Sequence, residues 1–163
     1  MTIPTEEECL DILKENKVPD NIVAHLKAVC DFSMKVCDVL EKRSIKVGRK
    51  LVAAAALLHD VKKLDENHEI KGADFIESLG YPEVAKIIRK HGLSNLNKEE
   101  FKPKTPEEKI VFYSDKRVRG SKVVSVDERF EYIKQRYKRE DVEKELNFTK
   151  RLEKELLGNY TIQ

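Results

Sequence analysis

The stretch LVAAAALL, residues 51 to 58, narrows the fold more than any other part of the chain. Eight apolar residues, four of them consecutive alanines, read as a buried helix against which neighbours pack closely. A helix that is apolar all round has to be surrounded, and the flanking sequence offers further helices. From Pro19 to about Arg43, Ile22, Leu26, Val29, Val36, Val39 and Leu40 recur at helical spacing. Thr5 with Glu8 forms a capping box ahead of a short helix to about Asn16. Asn67 is placed to cap a helix through Leu79, Gly80 to end it and Pro82 to open the next, which Gly92 stops near His91. A polar loop, LSNLNKEEFKPKTP, leads into a helix begun by Thr105, Pro106 and Glu108. Two amphipathic helices, about 126 to 139 and 141 to 157, complete the chain. No strand alternation and no internal repeat stand out. The expectation is all-α and a single domain over 1–163. It is a helical bundle at about 20–120 with a C-terminal helical extension at 121–163.

Composition restricts the function classes. Lys and Arg number 32 against 30 Asp and Glu, a net charge of +2, so no global field points to nucleic acid or a membrane surface. No apolar run approaches the roughly 20 residues of a membrane span. The first residues, MTIPTEEECL, lack the basic-then-apolar layout of a signal peptide, and the expected location is cytoplasmic. Three cysteines, Cys9, Cys30 and Cys37, cannot all pair within one chain and read as reduced, buried thiols. Without a CxxC motif, a thiolate metal site has no support.

The apolar run ends in His59 and Asp60, side by side, with Lys63 three residues on. The other histidines fall in comparable places. His25 lies between Ile22 and Val29 on an apolar stripe, His91 follows Ile87 and Ile88, and Asp115 follows Val111 and Phe112. His68 starts an inward line that continues through Gly72 to Phe75 and Ile76. A lone histidine on such a face is often a hydrogen-bonded core residue. A carboxylate is harder to excuse, because burying it unpartnered costs several kcal/mol. Five helices that each aim a nitrogen or carboxylate inward share one economical solution, a metal held between facing helices.

These residues resemble the HD-domain superfamily of metal-dependent phosphohydrolases, whose pattern is a first His, an adjacent His-Asp pair and a distant Asp. Here those are His25, His59 with Asp60, and Asp115. HDVKK looks like the HDIGK form of the motif, with Lys63 at its lysine and Lys62 where that form has glycine. HEIKGA, giving His68 and Gly72, and the later His91 resemble the extra histidines of members with two metals. The ligand order, and the ending YSDKRV, are similar to bacterial HD hydrolases that split symmetrical dinucleoside tetraphosphates. The resemblance covers about 20 to 120 and implies an HD-domain helical bundle. Residues after 120 gain nothing from it.

The resemblance implies His25, His59, Asp60, His68, His91 and Asp115 as ligands of one or two divalent ions. Histidine and carboxylate donors without thiolate suit Mn, Fe, Co, Ni or Mg. Water made acidic by the metal would attack phosphorus. Asp60 would bridge, and Lys63 would pair with a phosphoryl oxygen as charge builds. The expected substrate is a small phosphorylated compound, a nucleotide for preference. Residues 116 to 139 hold nine basic side chains against three acidic ones, so Lys116, Arg117 and Arg119 are expected to frame the site and bind substrate. Phe130, Tyr132 and Tyr137 offer rings that would stack a base, but at helical spacing they read as core. Two alternatives stay open: a non-catalytic nucleotide or metal sensor built on the same residues, and an RNA-binding protein using the basic segment. The near-neutral charge makes the last the weakest.

Overall fold

The computed structural model describes residues 1–163. The helices are α1 (Glu6–Glu15), α2 (Asp20–Lys42), α3 (Arg49–Leu58), α4 (His68–Ser78), α5 (Pro82–Arg89), α6 (Pro106–Asp115), α7 (Val126–Arg136) and α8 (Glu143–Leu157). The fold is all-α apart from one short hairpin. Alanine decides its centre. Ala54, Ala55 and Ala56 are buried, and their small side chains let α3 lie against α1, α2, α5 and α6 at once. α4 and α5 pair with each other, and α5 presses on α3. α8 folds back across α2 and α6, with α7 packed on it. One apolar cluster of 32 buried residues runs from Cys9 to Leu157, so the C-terminal helices share the core of the bundle.

Both capping boxes form. Thr5 and Glu8 exchange side-chain and backbone hydrogen bonds at the start of α1, as do Thr105 and Glu108 at the start of α6. Asn67 behaves differently: it precedes α4 in a left-handed conformation (φ 53°), and its side chain caps nothing. Between α6 and α7 lies an antiparallel hairpin of β1 (Val118–Arg119) and β2 (Lys122–Val123), with Val118 opposite Val123. Gly120 makes the turn at φ 61°, which costs a glycine no steric strain. Strands of two residues are too short to show alternation, so the expectation of no strand is corrected here. α7 also stops at Arg136, three residues before the expected end, because Lys138 takes a left-handed conformation (φ 51°).

Candidate metal centre

The six expected ligands meet at one place. His25 comes from α2, and Asp115 is the last residue of α6. α3 ends at Leu58, so His59 caps its C-terminus and Asp60 lies in the turn beyond. His59 keeps a right-handed helical conformation (φ −61°, ψ −29°), so the two side chains diverge and approach the site from either side. His68 opens α4, and His91 lies just past the C-terminus of α5. The ligating atoms of His25, His59, Asp60 and Asp115 all lie within 4.8 Å of one another. Those of Asp60, His68 and His91 form a second such group.

Asp60 belongs to both, and its two oxygens divide the work. Oδ2 faces His25 Nε2 at 3.7 Å and His59 Nε2 at 3.4 Å, while Oδ1 faces His68 and His91 Nε2, both at 3.3 Å. Asp115 is not free to bridge in this way. Its Oδ1 lies 3.0 Å from His25 Nε2 and 3.3 Å from His59 Nε2, but its Oδ2 is held by the Lys116 ammonium at 2.7 Å.

The imidazole orientations test whether metal fits. His25 Nδ1 donates to the Gly120 carbonyl (2.7 Å), His59 Nδ1 to Ala56 (2.7 Å) and His91 Nδ1 to Ile88 (2.6 Å). His68 Nδ1 faces the Glu69 carboxylate at 3.4 Å. A carbonyl oxygen only accepts, so Nδ1 of His25, His59 and His91 carries a proton, and the Nε2 of such a ring is the atom left to offer a lone pair to a metal. Those lone pairs face carboxylate oxygens, and His68 and His91 face each other, Nε2 to Nε2, at 3.3 Å. Acceptors packed against acceptors in a buried site repel unless cations sit between them. Protons serve only part of the site: against the pull of burial, Asp60 and Asp115 raise the pKa of His59, whereas burial keeps that of His91 low. The carboxyls of Asp60 and Asp115 resist protonation: despite burial, His59 and Lys116 respectively hold them well below the usual range. The donor set fits divalent metal, with Asp60 able to serve two ions.

A cavity of about 370 Å³ opens onto the His68–His91 half and not onto His25 or His59. Lys63 lines it as expected. Burial lowers its pKa, but Asp60 and Asp115 more than offset that, so the ammonium stays charged. The other basic residues are placed differently from the expectation. Lys116 touches the cavity, yet it is buried and spends its donors on Asp115 and the His91 carbonyl, packed over the Phe112 ring. Arg117 points away, to Glu153, the Tyr113 hydroxyl and the Val124 and Ile162 carbonyls. Arg119 lies outside the cavity lining, exposed, with its guanidinium 4.4 Å from the Tyr132 ring. Tyr137, expected in the core, is half exposed at the cavity.

Four further residues at the site, Glu69, Gly92, Arg129 and Arg139, were not singled out as site residues in the sequence. Glu69 is buried and steadies His68, and Gly92 leaves room for its carboxylate. Arg129, Tyr137 and Arg139 reach the cavity from α7 and the turn after it. A glutamate next to a candidate ligand was the one available signal for Glu69. Nothing local marked the others.

Histidines and aspartates gathered from five helices around one shared carboxylate make this an all-α fold with a candidate metal centre. The chain belongs to the HD-domain family, whose pattern matches residues 22–120. It is 31% identical over 138 residues to tRNA (cytidine(56)-2'-O)-methyltransferase of Picrophilus torridus, covering 76% of this chain and 39% of that one. The protein of the same name from Thermoplasma volcanium is 29% identical over 134 residues, covering 74% and 38%. An uncharacterized protein of Methanocaldococcus jannaschii is 31% identical over 136 residues, covering 75% and 80%. The chain thus spans about two fifths of the two methyltransferases it matches. No solved structure matches it. α7 and α8 lie beyond the family match.

Proposed function

We propose that this protein is a metal-dependent phosphohydrolase that cleaves a phosphoester or phosphoanhydride of a nucleotide or similar small substrate. One observation carries the reading: Nε2 lone pairs and carboxylate oxygens converge in two groups joined by Asp60, beside a cavity open to a ligand. A divalent ion in that cage supplies Lewis acidity and makes water acidic enough to lose a proton near neutral pH. The residues of the chain do the rest. His25, His59, His68, His91 and Asp115 fix the cage, and Asp60 ties its halves together. Lys63, charged and beside Asp60, stands where it can meet developing charge on a phosphoryl oxygen. Lys116 orients Asp115 rather than touching substrate.

No helix is long and apolar enough to cross a membrane. The three cysteines are free, which supports a reducing, cytoplasmic setting as part of the proposal. The test is metal analysis of the purified protein, then a hydrolysis screen of nucleotides and general phosphoesters with each divalent metal. Because two relatives carry tRNA methyltransferase names, RNA-derived nucleotides and tRNA itself belong in the screen. Asp60→Ala should abolish both metal retention and hydrolysis while helical content stays near that of the parent. A variant that keeps its metal and its rate overturns the assignment, and metal bound without turnover on any substrate turns the reading to a sensor.

A further inference from the structure

Arg129 is a cation whose partner is missing. It projects from α7, beyond the matched HD segment, into the wall of the cavity beside the metal centre. Its Nε makes one long hydrogen bond, 3.4 Å, to the Asp115 carbonyl, and its guanidinium leans on the Tyr132 ring. Its Nη1 is shut off from water and has no hydrogen-bond partner. Leaving a buried charged donor without an acceptor is unfavourable, and a guanidinium fork matches phosphate oxygens well. Lys63, Lys116 and Arg139 share the cavity wall, against the carboxylates of Asp60 and Asp115. Lys116 is already committed to Asp115, which leaves Lys63 and Arg129 as lining cations without a carboxylate partner, and a turn of the Arg129 guanidinium brings its unpaired Nη1 to the open space.

The outer rim has a different character. Tyr137 ends α7, is 52% exposed, and lines the same cavity next to Ile133 and Leu93. Lys138 then reverses the chain in its left-handed conformation and returns Arg139 to the rim. An exposed aromatic ring between apolar neighbours and a cation is a platform for a planar group. The cavity, about 370 Å³, lies near the small end of ligand sites, which run from about 300 to 1,000 Å³. That space suits one nucleotide unit, not two.

Resting on the phosphohydrolase reading, we propose that α7 is the substrate-recognition arm for a nucleoside monophosphate. Arg129 takes a non-bridging oxygen of the phosphoryl group that faces His68 and His91. Tyr137 stacks the base at the rim, and Arg139 flanks it.

The test uses the full chain loaded with Mn, as parent, Arg129→Ala, Arg129→Lys and Tyr137→Ala, with metal content and melting temperature checked first. Binding of inorganic phosphate by calorimetry reads Arg129 without any need for turnover. Arg129→Ala should weaken phosphate binding about ten- to a hundredfold at unchanged metal content, and Arg129→Lys should recover only part of it. With a nucleoside monophosphate and glycerol phosphate as paired substrates, Tyr137→Ala should raise KM at least about tenfold more for the nucleotide. Parent-like phosphate binding in Arg129→Ala overturns the role of that residue, as does loss of metal with the side chain. Equal effects of Tyr137→Ala on both substrates overturn the stacking platform. If the parent binds phosphate through Arg129 but hydrolyses nothing with any metal, the anion site stands and the phosphohydrolase reading falls.

Discussion

Gly92→Ala should weaken the outer half of the metal centre without touching a ligand. A Cβ at Gly92 would lie 3.0 Å from Glu69 Cδ, 3.2 Å from its Cγ and 3.3 Å from its Oε1. Carbon atoms rest comfortably at about 3.5–4.0 Å, so the Glu69 side chain has to retreat by about 0.5 Å. It is only 4% exposed and has no solvent side to withdraw into. Its Oε2 already stands 3.4 Å from His68 Nδ1, at the edge of hydrogen-bond range, and that contact breaks first. Overpacking of this kind costs about 1–3 kcal/mol of stability. Loss of the group that orients a ligating imidazole weakens metal binding about ten- to a hundredfold, or about 1.4–2.8 kcal/mol. The loss should fall on an ion bound by His68 and His91, because the polar partner of the Glu69 carboxylate is His68. Calorimetric titration of Mn into chelator-stripped protein resolves the two affinities, and a melt of the metal-free protein gives the packing cost. Glu69→Gln, which keeps the shape and an acceptor but drops the charge, should fall between parent and Gly92→Ala. A lower melting temperature with both affinities intact would show that the clash is real but that Glu69 does not position His68. Unchanged stability and unchanged affinities would refute the packing argument itself.

The asymmetry of the centre gives a kinetic expectation: a chelator should strip the ion on the cavity side quickly and the His25–His59 ion slowly. The fast phase should disappear in His68→Ala, as followed by a metal indicator. Arg117→Ala should cost about 1–2 kcal/mol, because the Tyr113 hydroxyl loses its donor while Glu153, partly exposed, keeps the Tyr113 hydroxyl, with metal content unchanged. Chemical denaturation and metal analysis of one preparation check both halves of that statement. Burial pushes the thiols of Cys9 and Cys37 up to about 12 and that of Cys30 to about 11. The unfolded chain ionises first, near the ordinary thiol value of about 8.5, so stability should fall as pH rises from there towards 11. Urea midpoints at two alkaline pH values read the slope, which should flatten when the three cysteines are replaced by alanine or serine.

The helices were legible because their signals are local. Thr5 with Glu8 and Thr105 with Glu108 announce their own caps, and alanines 53 to 56 demand close neighbours whatever the topology. The candidate ligands were legible for a related reason. Each interrupts an apolar stripe, and the position of Asp115 in particular makes little physical sense without a partner. Asn67 shows the limit of such signals. A favoured capping residue stood at the right place, yet the backbone before α4 turned left-handed and took its side chain out of use.

Direction is what a one-dimensional reading lacks. Lys116, Arg117 and Arg119 lie within four residues and look alike in the sequence, but α6 ends at Asp115 and the chain turns into the β1–β2 hairpin. Three successive changes of direction send Lys116 inward onto Asp115, Arg117 to the C-terminal tail and Arg119 out over Tyr132. Net charge over the segment carried none of this. Tyr137 failed by a different route. Its spacing from Phe130 continues a helical stripe, and Phe130 is indeed buried, but the stripe holds only while the helix does. α7 stops at Arg136, and the residue that periodicity would have buried is left at the mouth of the cavity. A recognition arm built from a helix end is hidden from periodicity for that reason. Arg129 reaches the cavity from within α7, but Tyr137 and Arg139 reach it because the repeat is broken, with Lys138 left-handed between them.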